Sequence, residues 1–117
     1  MTILDLTLRT HLDADLYALD EHIADCTTPA DYRQAEALAR CVLMGWADFH
    51  LACIAALTIT RRVDERCRLD AKLLRARLEV AEAVKYAAAR ALECGDRIRA
   101  CVEGARRVEP EVADAMH

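Results

Sequence analysis

Apolar residues recur at steps of three and four along most of the chain, the period of an α-helix. Leu4, Leu8, Leu12, Leu16, Leu19 and Ile23 form the first such stripe and predict a helix over residues 3–25. Thr2 is placed as its N-cap, with Asp5 three positions on. Cys26-Thr27-Thr28-Pro29 ends it, and Thr28 followed by Pro29 opens a second helix with a cap residue and then proline in the first turn. Asp31 adds a negative charge where the helix dipole favours one. The second stripe, Ala35, Leu38, Val42, Gly45, Phe49, Ala52, Ala56, Ile59 and Val63, predicts a helix to about Thr60. Glycine inside a helix costs about 1 kcal/mol relative to alanine, so Gly45 implies close approach of a neighbouring helix. Val42, Trp46 and Phe49 beside it are the expected core.

Beyond Val63 two apolar stripes run side by side. One contains Cys67, Ala71, Leu74, Leu78, Ala81, Ala88, Leu92 and Val102, and from it Leu74 and Leu78 are assigned to the core. The other runs from Leu69 through Val80, Ala87, Cys94 and Cys101 to Val108, straight across Gly95. An unbroken helix from 63 to 108 would be roughly 68 Å long. A compact domain of this size has a radius of gyration of roughly 13–14 Å. A break near Gly95-Asp96 is therefore expected, with a partner chain covering the overhang of an unbroken helix as the alternative. Thr58-Ile59-Thr60-Arg61-Arg62, which holds neither Gly nor Pro, is the expected boundary between helices two and three, with a helix continuous through residue 60 as the rival. Pro110 is expected to end the last helix, leaving 109–117 as a tail.

These elements predict an all-α antiparallel bundle of three to four helices in a single domain, 1–117, with its core within 3–108. The 117 residues include 23 Ala and 15 Leu but 3 Gly, 2 Pro and 5 aromatics, a mix that disfavours strands and tight turns. A core so rich in Ala and Cys buries little bulky area per chain, so self-association, as a homodimer, is expected.

Charge is unevenly spread: residues 1–60 hold 3 Arg against 9 Asp/Glu, and residues 61–117 hold 13 Lys/Arg against 11 Asp/Glu. The net charge of -4 is not that of a general nucleic-acid binder. Arginine outnumbers lysine 14 to 2, which with the alanine load suggests a GC-rich bacterial or phage source. The 6 cysteines form no C-x-x-C pair, and Asp5, Arg9 and Asp13 interrupt any apolar leader, so they are expected to be reduced thiols in the cytoplasm. Cys41 to Ile59 has the length of a membrane span, but a central Asp such as Asp48 costs about 2.5–3.5 kcal/mol on insertion. It is expected to be the buried central helix of a bundle, with no membrane partner.

Candidate chemistry is sparse. His11, Asp15, His22 and Cys26 share a polar stripe of zinc-ligand types, yet the pairs His11/Asp15 and His22/Cys26 lie about 10 Å apart along the helix. A solvated acidic face is the expected reading, with no cofactor. Asp48 and His50 interrupt the most apolar stretch, and Asp48 is expected to pair with an arginine of another helix. His50 and Cys53, three apart, are a weak nucleophile pattern. No Gly-rich phosphate loop and no catalytic residue is assigned. Arg61, Arg68, Lys72 and Arg75 share one face; a solvated or intramolecularly paired face is the expected reading, and as candidate partner-binding cations they suit an acidic protein surface ahead of nucleic acid. The functional expectation is a non-enzymatic protein–protein interaction module, such as an adaptor, a chaperone or a phage or mobile-element inhibitor. The alternatives are a regulator of nucleic-acid transactions using residues 61–77 and a metal- or redox-responsive bundle.

Overall fold

The computed structural model describes residues 7–66 and 71–116, with side chains for 7–62 and 71–109. Three helices account for it: α1 (Thr7–Ala24), α2 (Pro29–Arg66) and α3 (Ala71–Met116). The α1–α2 corner is built as the sequence implies. Thr27 and Thr28 donate their backbone N–H groups to Asp31 Oδ2 at 3.1 and 3.0 Å, and the Asp31 N–H donates to Thr28 Oγ1 at 3.1 Å. This reciprocal cap satisfies donors that a helix start leaves free. The hydrogen bonds hold the Asp31 carboxyl at a pKa of about 2. The Thr2 cap and Leu4 lie outside the described residues.

α2 and α3 pack along their lengths in opposite directions. Tyr32, near the start of α2, meets Gly104, and the Trp46 ring lies 5.7 Å from that of Tyr86. α2 buries Ala35, Ala39, Trp46, Phe49, Cys53, Ala56 and Thr60, and α3 buries Val80, Ala83, Ala87, Cys94 and Cys101. Both sets recur with a seven-residue repeat, the pattern of a left-handed two-helix seam. α1 lies against both helices at one end: Leu12, Leu16 and Leu19 are buried there, and Leu12 is the side chain that a Cβ on Gly45 would strike, at 2.7 Å. Gly45 thus marks the close approach that its mid-helix position implied.

Several expectations are corrected. The boundary between helices two and three is not at 58–62, since α2 continues to Arg66. α3 runs unbroken through Gly95, which has no positive φ and so does not act as a cap. Nor does Pro110 end the helix: α3 reaches Met116. Proline's fixed φ is helical, and what it forgoes is the bond from its missing N–H. α3 needs no break because α2, at 38 residues and about 57 Å, is itself long enough to support it. The outcome is an elongated molecule of 74 × 19 × 14 Å with a radius of gyration of 19.6 Å.

The buried stripe of α2 is also rotated from the expected one. Leu38, Ala52 and Ile59 are exposed, and Ala39, Cys53 and Thr60 take their places. Small residues face α3 because two helices in close contact have little room between them. Leu74 and Leu78, assigned to the core, are 45% and 58% exposed, while Trp46 and Phe49 are fully buried and Val42 packs partly buried against them. α3 has one narrow seam with α2, and the stripe containing Leu74 and Leu78 points away from it.

Candidate functional site

α1 is held to α3 by a polar cluster that sequence spacing did not reveal. Tyr86 donates its hydroxyl to Asp13 Oδ1 at 2.6 Å, and Arg90 donates to the Tyr86 oxygen at 2.8 Å and to Glu93 at 2.7 Å. Arg9 stacks 3.6 Å above the Tyr86 ring. Two turns of α1 further on, Arg97 donates to both carboxylate oxygens of Asp20, at 2.7 and 3.3 Å. Glu93 and Tyr86 raise the pKa of the Arg90 guanidinium, and Asp20 does the same for Arg97. These groups are charge-paired and positioned to clamp helices. The partners lie 73 and 77 residues apart in the chain, so no local motif marks them.

The metal and nucleophile candidates do not converge. Asp15 and His22 line an open groove of about 440 Å³ between α1 and α2, facing Cys41, while His11 is exposed outside that lining. The Cys26 thiol turns back to donate to the His22 carbonyl oxygen at 3.3 Å. Among the described residues, no group of three or more His, Cys, Asp or Glu side chains is arranged to hold a metal ion. Cys26, Cys41, Cys53, Cys94 and Cys101 are free thiols. Burial raises the pKa of Cys53, Cys94 and Cys101, which suppresses the reactive thiolate. Cys53 is thereby a packing residue of the seam. Asp48 is exposed, and among the described residues it has no ion-pair partner, so the arginine expected from another helix of this chain is absent. His50 is half-buried.

What the structure does present is an apolar surface on α2. The helix is long and apolar enough by composition to cross a membrane, yet only 22% of its most apolar window is buried. Met44, Leu51 and Ile59 are 65%, 63% and 49% exposed. Together with Ala37, Cys41, Asp48 and Ala55, also exposed, they form a second stripe at steps of three and four on the side of α2 away from α3. The expected burial of Cys41 to Ile59 is thus met only along the α3 seam. Arg61 on α2 and Lys72 and Arg75 on α3 are exposed with no ion-pair partner among the described residues, and Arg68 lies outside them. Periodicity found helicity here but not a second stripe, because α2 is apolar on nearly every side from Cys41 to Ile59.

The chain matches no known protein family, no curated protein and no solved structure.

Proposed function

We propose that this chain is a non-enzymatic protein–protein interaction module whose working surface is the outward face of α2. The observation that carries the reading is the area left open. A compact monomer of 13.1 kDa exposes about 6,400 Å². This chain exposes 8091 Å². The excess belongs to the elongated chain as a whole, and Met44, Leu51 and Ile59, 65%, 63% and 49% exposed, are the part of it that α2 presents. A helix apolar on all sides is a helix that something else covers. An adaptor, a chaperone and an inhibitor all have this requirement, and the exposed cations Arg61, Lys72 and Arg75 suit an acidic partner surface.

A photo-cross-linking amino acid in place of Leu51 tests the reading, with Glu103, exposed on α3, as the control position. Polypeptide adducts from position 51 and none from 103 are expected. Absence of any polypeptide adduct from 51 overturns it.

The same cations support a second reading, regulation of nucleic-acid transactions. It requires binding that weakens steeply with salt and that is lost in the K72E/R75E variant. Salt-independent binding, or none, removes it.

A further inference from the structure

We infer that the exposed stripe of α2 is self-complementary, and that α2 pairs antiparallel with α2 of a second copy about a two-fold axis passing at Ala55. This rests on the interaction-module reading and names its partner.

Leu51 and Ile59 each stand four residues from Ala55, on opposite sides, and Asp48 and Arg62 each stand seven away. Steps of four and seven return to the same helix face, and all five residues are exposed. In an antiparallel pair centred on Ala55, each residue meets the one equally far beyond the axis. Leu51 packs against the partner's Ile59, and by symmetry the same contact forms twice. Asp48 meets the partner's Arg62, again twice. Neither Asp48 nor Arg62 has an ion-pair partner among the described residues of its own chain, so both charges are available. Alanine at the crossing point lets the helix axes approach to about 8 Å.

Charge rejects the neighbouring arrangements. A parallel pair would set Asp48 beside the partner's Asp48 and Arg62 beside the partner's Arg62. An antiparallel pair centred on Asp48 would bring two carboxylates together on the axis. The Ala55 register alone among these three joins opposite charges and apolar side chains at once. A two-fold contact of this kind closes on itself and gives a dimer, not a filament.

The test measures the mass of the full-length chain by native mass spectrometry and sedimentation over a concentration series. A dimer is expected. D48R and R62D each place like charges across the axis, and each should weaken the dimer about tenfold. An equimolar mixture of the two variants should recover wild-type affinity as a heterodimer, because both cross-axis pairs are then of opposite charge. A55C, in a C41S background, should form a disulfide with its own copy under mild oxidation, since the axis position brings the two Cα atoms within about 4.4–6.8 Å. All four substitutions are at exposed positions, so unchanged circular dichroism checks the fold. A monomer at every concentration overturns the pairing. So does a dimer whose two charge variants fail to rescue each other and whose A55C form does not cross-link. Flotation of the monomer with anionic phospholipid vesicles assigns the face to a membrane and likewise overturns it. If the cross-linker at position 51 captures a different protein, the second copy is refuted and the interaction-module reading stands; if it captures nothing, both fall.

Discussion

The two ends of the molecule are built from the same seam but not to the same thickness. Where α1 lies across the pair, Trp46 and Phe49 fill the space between three helices, with Leu12, Leu16 and Leu19 closing it. Their rings meet edge to face at a centroid distance of 6.0 Å. Beyond α1 the seam continues with Cys53, Ala56 and Thr60 on α2 and Val80 on α3, all buried. The large side chains of that end, Leu51, Ile54, Ile59, Leu74 and Leu78, point elsewhere. Fully burying a Leu or Phe side chain contributes roughly 1.5–3 kcal/mol. Much of the apolar area of the far end therefore contributes nothing to the isolated chain. A heptad seam sets the direction of two helices; a third layer is what turns that seam into a core.

The comparison is tested most strongly at its centre. Trp46→Ala should cost about 3–5 kcal/mol in thermal or denaturant unfolding, while Leu78→Ala at the thin end should stay within about 0.5 kcal/mol. Similar losses at the two positions would refute the division. Next in size is Gly104, where a Cβ would come within 2.5–2.9 Å of the Tyr32 ring. Gly104→Ala should cost about 1–3 kcal/mol by overpacking, measured by the same melts. Gly95, where a Cβ would meet nothing within 4 Å, is the opposite case. Gly95→Ala should stabilise by up to about 1 kcal/mol through helix propensity, and a loss there would show that the helix needs its glycine. The clamp on α1 is smaller still. A double-mutant cycle on Asp20 and Arg97, both partly exposed, should give a coupling of about 0.2–1 kcal/mol that shrinks with added salt.

The α1–α2 corner supplies the finest distinction. The Asp31 carboxyl titrates at about 2 in the fold against 3.8 ordinarily, because the Thr27 and Thr28 N–H groups bond its charged form. A depressed carboxyl pKa stabilises the fold fully above about pH 4, and that stabilisation is lost as pH falls through 2. Asp31→Asn should flatten the pH dependence of unfolding in this window. An unchanged acid limb would show that the cap contributes nothing.

Local chemistry made the helices legible. Thr28, Pro29 and Asp31 announced the start of α2, and the Leu stripe of α1 and the seven-residue spacing from Val80 to Cys101 were visible without coordinates. Gly45 marked a close approach, and Leu12 makes it. Trp46 and Phe49 were legible as core because large aromatics beside such a glycine have one obvious use. The rotation of the α2 stripe was not legible, since Leu38 and Ala39, or Ile59 and Thr60, differ by one position on a helix apolar nearly all round. The candidate surface stayed hidden for the same reason: a residue's exposure depends on where the neighbours stop.

The sequence by itself determined that the chain is helical and where α2 begins, because caps and 3.6-residue periodicity are decided within a few residues. Only the tertiary structure decided that α2 and α3 remain unbroken, that α1 covers one end, and that Asp13, Tyr86, Asp20 and Arg97 meet. Those outcomes depend on contacts between residues 33 to 77 positions apart, and no local pattern encodes which distant face a helix will find.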